Sequence, residues 1–577
     1  MNESTQLANV VISRLLAHGV TDVVLAPGSR STPLALGLAQ AERRGDLALH
    51  VRIDERSAGF LAVGIAKITR RPVAVVCTSG TAVANLAPAV VEAAYTGLPL
   101  VAVTADRPPE LRGVGANQTI DQVGFFGQQV RTAVDLLALP QDAHQPATWR
   151  KVVDRVLADA LGIGHSGPAP VQLNVGFREP MVPDAVDDIA LDPTDPLDTS
   201  VPAPIREPIN FAVADLGLNE VPARGVVVVG DVPDSAISAQ AVDLADACGW
   251  PLISEPSGNA LCGQTGVPSA SVFLADEQFR SAHAPDLVIT IGRFGLSRPV
   301  MRLVGSAAHH LAVHVGGKDR PDPLRTAAVV LGAVPRPPED DPLIPLAPPD
   351  GQWLRDWLIA SAAAQTRIST AIAVESFTGL AVAATCWASA EADDLIFAAS
   401  SRTVRNFEAA MTVRHYPPRV VGNRGASGID GLVSTAWGAG LAHGRTTPGG
   451  RTIAVVGDLA FLHDHNGLLA PATEPRPNLT IVVADNNGGG IFSSLEQGAA
   501  EFDADFERVF GTPHDRDLAA VAAAAGSPTV TVTSAAELAA ALDDRSVGVT
   551  IIIATTASRE EEQRQWANVL PDGPIAR

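Results

Sequence analysis

In VVGDLAFLHD (455–464), two valines that read as the end of a buried strand run into Gly457 and a bare carboxylate, Asp458. An ionised carboxylate at the edge of an apolar core is costly unless something pairs with it. The next long strand-like run, LTIVVADNN (479–487), reaches Asn486 and is followed by Gly488, Gly489 and Gly490. An apolar segment of helix length lies between, so two consecutive parallel strands would set their tips side by side. Asp458 supplies an anionic oxygen and Asn486 a neutral amide oxygen. The glycines let a backbone carbonyl, such as that of Gly488, turn inward. Three hard oxygen donors suit Mg²⁺, with Mn²⁺ as an alternative, which completes an octahedron with water and ligand phosphates. Gly457 and the glycine run also let a diphosphate approach the backbone near helix N-termini.

Other reactive side chains fall at similar punctuation points. Ser29 and Arg30 follow DVVLA (22–26), Asp54 and Glu55 follow LHVRI (49–53), and Arg107 follows PLVAVTA (99–105). Ser400 and Ser401 end DLIFAAS (394–400) and its neighbour position, and Arg424 follows PRVVGN (418–423). In open α/β sheets ligands bind at the carboxyl ends of strands. Helix N-termini also favour Asp, Ser and Asn, so placement alone does not prove function. Glu55, seen alone, reads as an acid complementing a helix macrodipole. His463 and His465 stand at i and i+2 of a helix, which do not share a face, so they read as surface or packing residues rather than a zinc pair.

The elements that must position these groups form a regular rhythm. Short β-branched runs alternate with helical segments, as in a parallel sheet. The first helix is expected over residues 4–18, with Leu7, Val10, Val11 and Leu15 on one face and His18-Gly19 as its C-cap. Middle strands are read at 226–230, 251–255, 286–292 and 311–316, and late ones at 452–458 and 549–554. Two Pro-rich stretches read as linkers. The fold class is α/β, with three doubly wound parallel-sheet domains: 1–180, a linker 181–208, 209–335, a linker 336–360, and 361–577. The first and third domains look alike in rhythm, not in sequence.

Of the 577 residues, 46% are apolar and only 4% aromatic, as suits helix-on-sheet layers. The formal charge of −21 argues against nucleic acid and anionic membranes as partners. No apolar run reaches the length of a membrane span. The start carries acidic Glu3 and no basic region, so no signal peptide is expected. Cys77, Cys248, Cys262 and Cys386 form no CxxC pair and read as inert thiols. A cytoplasmic, disulfide-free protein follows.

The Gly457-Asp458 … Asn486-Asn487 pattern resembles the signature of thiamine diphosphate (ThDP) enzymes, with Leu459 where that signature carries a second glycine. PGSRSTPLA (27–35), DERSAGF (54–60), TSGTAVANL (78–86), ADRPPEL (105–111), GANQT (115–119), NRGASGIDG (423–431) and GDLAFLHD (457–464) together resemble one branch of them. That branch is the 2-succinyl-5-enolpyruvyl-6-hydroxy-3-cyclohexene-1-carboxylate (SEPHCHC) synthases of menaquinone biosynthesis. Both outer domains carry long matching strings; the middle domain matches weakly.

The resemblance implies pyrimidine-binding, central and diphosphate-binding domains, and ThDP as cofactor. It implies decarboxylation of 2-oxoglutarate and 1,4-addition of the remaining four-carbon unit to isochorismate. Glu55 matches the glutamate beside the cofactor's pyrimidine, and Ile429 the apolar prop beneath it. Ser400, Ser401, Gly457, Asp458, Leu459, Asn486, Gly488 and Gly489 fall at the cofactor, with Asp458, Asn486 and Gly488 on the metal. Arg405 and Arg424, with Ser401, match residues meeting the 2-oxoglutarate part, and count with Glu55 as catalytic. Ser29, Arg30, Arg107, Asn117 and Gln118 match the isochorismate side, and Arg298 matches loosely as an added cation. Ile491 and Phe492 form an apolar wall against both cofactor and substrate. Both substrates are dicarboxylates, which planar guanidinium forks suit. A homodimer is the minimum unit and a homotetramer the expected assembly. Two alternatives stand beside this reading: an acetolactate-synthase-like carboligase or 2-oxoacid decarboxylase, and a non-catalytic phosphate- or nucleotide-binding protein. No GxGxxG follows the first strand to support the latter.

Overall fold

A computed structural model describes residues 1–138, 145–193, 216–336, 350–374 and 376–571. The first sheet holds β1 (Asp22–Leu25), β2 (Ala48–Val51), β3 (Val73–Cys77), β4 (Leu100–Asp106), β5 (Ala133–Leu137) and β6 (Val171–Gly176). Their order is β2-β1-β3-β4-β6-β5. The second holds β7 (Gly225–Val229), β8 (Leu252–Ser254), β9 (Leu287–Ile291), β10 (His309–Val313) and β11 (Val329–Leu331), ordered β11-β10-β9-β7-β8. The third holds β12 (Leu395–Ala398), β13 (Arg419–Val421), β14 (Thr452–Gly457), β15 (Leu479–Asp485), β16 (Thr529–Val532) and β17 (Val549–Thr555), ordered β13-β12-β14-β15-β17-β16. Every pairing between these strands is parallel. The first and third sheets thus share one topology, as their common rhythm suggested.

Strand periodicity explains how the sheets stack. Val24, Val75, Cys77 and Ala102 of the first sheet face the same core as Ala454, Val456, Ile481 and Val483 of the third. Their sequence neighbours Val23, Ala74, Val76 and Val101 face the other way, under helices Glu3–Ala17 and Gln145–Leu161. On the third sheet, Ile453, Val455 and Val482 face a core shared with Val226, Val228 and Val288 of the middle sheet. Helices Glu55–Thr69 and Leu432–Thr446 fill the space between the outer sheets. They cross backbone to backbone. A Cβ on Gly64 would overlap the Thr435 carbonyl, and one on Gly438 would overlap that of Leu61.

Several elements depart from the sequence reading. Strands β5, β6, β11 and β16 were not read. The linker placed at 181–208 is packed in its first part: Ile189 and Leu191 enter the N-terminal core, and Asn9 Nδ2 donates to the Asp188 carbonyl at 2.8 Å. Residues 194–208 of that stretch lie outside the described residues. The linker placed at 336–360 ends in helix Gly351–Val374, where Trp353 and Trp357 are buried and Trp353 Nε1 donates to the Gly225 carbonyl at 2.9 Å. Residues 337–349 lie outside the described residues. The first helix spans Glu3–Ala17 with His18 as its C-cap, as expected. The cysteines are free, and burial pushes the Cys386 thiol up to about 12. No single helix among the described residues is long and apolar enough to cross a membrane.

Candidate active site

Four adjacent strand ends of the third sheet carry the candidate cofactor groups in a line: Arg424 after β13, Ser400 and Ser401 after β12, Asp458 after β14, Asn486 after β15. Chain order reverses between β12 and β14, the switch point at which open α/β sheets bind ligands. Gly457 pairs with Ala484, which fixes Asp458 and Asn486 on neighbouring tips. Asp458 is 3% exposed. Its Oδ1 accepts from the Leu459 N–H at 2.6 Å and its Oδ2 from the Gly488 N–H at 2.7 Å. Burial pushes its carboxyl up to about 6, against the pull of those two N–H groups. Asn486 Nδ2 donates to Glu562 Oε2 at 3.1 Å, which orients the amide. Gly488 meets Asp458 through its N–H, while its carbonyl accepts from the Gly490 N–H at 3.0 Å. Phe492 lies over Gly489 and against Phe510, and Ile491 is half-buried beside it.

Arg405 Nη1 donates to the Ser401 carbonyl at 2.6 Å, and Ser401 adopts φ 72°. Burial and the neighbouring Arg424 lower the Arg405 pKa. Two buried acids stand near these cations. Glu255, just after β8, accepts from the Gly295 and Leu296 N–H groups at 2.7 Å each, and burial raises its pKa. Those bonds anchor the loop leading to Arg298, which is exposed at the start of helix Arg298–Ser306. Glu408 is raised to about 8 by burial and then by the charge of Glu255. Ile429 is half-buried at the rim of the core between the outer sheets.

The first sheet repeats the arrangement. Arg30 follows β1, Glu55 follows β2, Ser79 follows β3 and Arg107 follows β4, around the reversal between β1 and β3. The Asp106 carboxylate accepts from the Arg107 N–H at 2.7 Å and from Asn174 Nδ2 at 3.0 Å, which fixes the base of the arginine. The Arg107 guanidinium donates to Ser79 Oγ and, at 3.1 Å, to the Gln118 carbonyl. Gln118 Nε2 donates to the Ser79 carbonyl at 3.0 Å. Arg30 Nη1 donates to the Phe177 carbonyl at 3.2 Å, and burial with the nearby Arg107 charge lowers its pKa. Ser29 and Asn117 are exposed. Glu55 opens its helix, half-buried, and its neighbour Arg56 donates to the His463 carbonyl at 2.7 Å. His463 and His465 are exposed, as expected.

Two family models match: the thiamine pyrophosphate enzyme N-terminal TPP-binding domain over residues 5–125, and the C-terminal TPP-binding domain over residues 406–552. The chain is 45% identical to a 2-succinyl-5-enolpyruvyl-6-hydroxy-3-cyclohexene-1-carboxylate synthase of Thermobifida fusca, over 94% of each chain. It is 42% identical to one of Saccharopolyspora erythraea over 94% of each, and 41% to one of Kineococcus radiotolerans over 96% of each. The chain belongs to the SEPHCHC synthase family. It is thus a ThDP-dependent enzyme, and the carboligase, decarboxylase and non-catalytic alternatives are not favoured.

The donor set of this SEPHCHC synthase family member fits a divalent cation beside a diphosphate. A buried carboxylate and an amide held by a third residue stand on adjacent strand tips. The sequence reading missed three groups here. Ligand atoms of Asp458, Asp485 and His514 lie within 4.8 Å of one another, and His514 Nε2 stands 3.4 Å from Asp458 Oδ2. His514 sits in a loop with no motif around it, and its N–H is held at 3.0 Å by Asn487 Oδ1. Glu562, in helix Arg559–Val569, carried no signal either. Glu255 did: it follows a strand end, and the rule applied to the outer domains would have found it.

Proposed function

We propose that the chain catalyses the SEPHCHC synthase reaction of menaquinone biosynthesis in the cytoplasm: decarboxylation of 2-oxoglutarate and 1,4-addition of the remaining four-carbon unit to isochorismate, with release of CO₂. The observation that carries the roles is the alignment of Arg424, Ser401, Asp458 and Asn486 along one sheet edge. ThDP, when bound, supplies the electron sink that makes loss of CO₂ feasible. Asp458, Asn486 and Gly488 would hold Mg²⁺ or Mn²⁺, and Gly457, Leu459, Ser400, Ser401 and Gly489 would hold the diphosphate. Glu55 would hold a proton beside the pyrimidine, and Ile429 would support the cofactor from below. Arg405 and Arg424 clamp the carboxylates of 2-oxoglutarate. Arg30 and Arg107, with Ser29, Asn117, Gln118 and Arg298, receive isochorismate. Ile491 and Phe492 exclude water that would protonate the transferred carbon.

The active unit is a homodimer at minimum, assembled further to a homotetramer. Ile53, an apolar side chain 69% exposed two residues before Glu55, supports burial of this rim by a second copy. The deciding experiment incubates the protein with ThDP, Mg²⁺, 2-oxoglutarate and isochorismate. Loss of isochorismate, CO₂ release and a product of SEPHCHC mass are expected. Absence of the adduct, or equal turnover with pyruvate, rejects the assignment.

A further inference from the structure

We propose that Glu92, in the N-terminal domain, is the positioning residue that aims Arg424 of the C-terminal domain, so that grip on the oxoacid is set across a domain boundary. The inference rests on reading Arg424 as an oxoacid-binding residue. Among the described residues, no hydrogen bond or ion pair holds the Arg424 guanidinium, so its aim is set by the backbone beneath it. That backbone is pinned on both sides. On one side, Ser400 Oγ donates to the Asn423 carbonyl at 3.1 Å and Asn423 Nδ2 donates to Thr435 Oγ1 at 3.0 Å, all within the C-terminal domain. On the other side the hold comes from helix Ala87–Thr96 of the N-terminal domain. Glu92 Oε1 accepts from the Gly425 N–H at 3.0 Å, and Oε2 accepts from the Ala426 N–H at 2.7 Å.

Glu92 is 2% exposed, and an ionised carboxylate there needs several donors. It has four: the two N–H groups, Thr96 Oγ1 at 2.9 Å and Lys67 Nζ at 3.4 Å. A charged acceptor facing two successive backbone donors fixes both direction and register of a loop. The loop sequence agrees. A Cβ at Gly425 would lie 2.6 Å from both the Glu92 carbonyl and Thr96 Oγ1, so only glycine lets the loop sit this close. Loss of the clamp frees the residues after Arg424 while leaving those before it in place, and a small displacement of a substrate-positioning group weakens its hold steeply.

The test is steady-state kinetics of full-length Glu92→Gln, Thr96→Val and Arg424→Lys, with ThDP affinity measured separately by titration. Glu92→Gln turns an amide N–H₂ toward a backbone N–H. It is expected to raise the KM for 2-oxoglutarate about 10-fold, with the KM for isochorismate and the ThDP affinity held within about twofold. Thr96→Val, which removes one donor and keeps the carboxylate, should move the same KM about 2–3-fold, and decides alone if Glu92→Gln does not fold. Arg424→Lys should raise that KM as well. If it does, and the Glu92 and Thr96 variants leave the KM for 2-oxoglutarate unchanged or shift all three constants together, the proposal is overturned. If Arg424→Lys itself leaves the KM unchanged, the reading of Arg424 is what fails, and the proposal goes with it.

Discussion

Asp458 takes two backbone N–H groups on its two oxygens and still has His514 at 3.4 Å. Groups that orient a ligand carboxylate commonly change metal affinity 10–100-fold when removed. His514→Ala is therefore expected to weaken Mg²⁺-dependent ThDP binding by roughly that factor. A titration of ThDP fluorescence quenching against Mg²⁺ reads it directly, and an unchanged curve rules it out. Glu408 makes a different prediction. Its carboxyl is raised from 4.5 to about 8 by burial. The folded state then binds a proton more tightly than the unfolded chain, so stability is full below about pH 4.5 and falls as pH rises toward 8. Glu408→Gln removes that loss. Its Tm should match that of the parent near pH 4 and exceed it at pH 8.5, as followed by thermal denaturation across the range. At this scale Asp458, Asn486, Arg30, Arg107 and Arg424 stand out as candidates in the sequence because they follow strand ends, whereas Arg405, inside helix Arg402–Ala410, is a candidate by family resemblance alone. Glu92, Glu408, His514 and Glu562 do not stand out, because each reaches the site from a helix or loop that carries no punctuation of its own.

The strands that escaped the sequence reading share physical reasons. β6 lies inside the first sheet, yet it carries Gln172 and Asn174 where a buried strand would be apolar. Both are buried because a network satisfies them: Asn174 Oδ1 accepts from Gln122 Nε2 at 2.7 Å, and Gln172 Nε2 donates to the Gln122 carbonyl at 2.8 Å. β5 and β16 are edge strands with exposed positions, which blurs their pattern. The crossing of helices Glu55–Thr69 and Leu432–Thr446 was equally silent, since Gly64 and Gly438 inside helices read merely as weak helix formers. Their role gives a prediction at this scale. Gly64→Ala or Gly438→Ala must push two backbones apart, and overpacking of this kind costs about 1–3 kcal/mol or more. Each should lower the chemical-denaturation midpoint, whereas alanine at Gly444, with nothing within 4 Å of its added Cβ, should not.

Across the whole molecule, the proposed dimer has a direct test. If one subunit supplies Glu55 and its partner Asp458, then inactive Glu55→Gln and Asp458→Ala proteins should complement when unfolded, mixed and refolded. Random pairing leaves about a quarter of the sites intact, so activity near that fraction is expected. None would return if each chain housed a complete site.

The core shared by the outer sheets bears on biogenesis. Helix Glu55–Thr69 covers the inner face of the first sheet, and its own far side meets its apolar cover in helix Leu432–Thr446, with side chains such as Leu432, Ala436 and Ala439. On the ribosome that cover emerges only after more than about three hundred further residues, which takes tens of seconds at ordinary elongation speeds. Until then the nascent chain carries a greasy wall that chaperones must shield. Residues 1–193 expressed alone should aggregate, and supplying residues 350–577 in the same cell should rescue them.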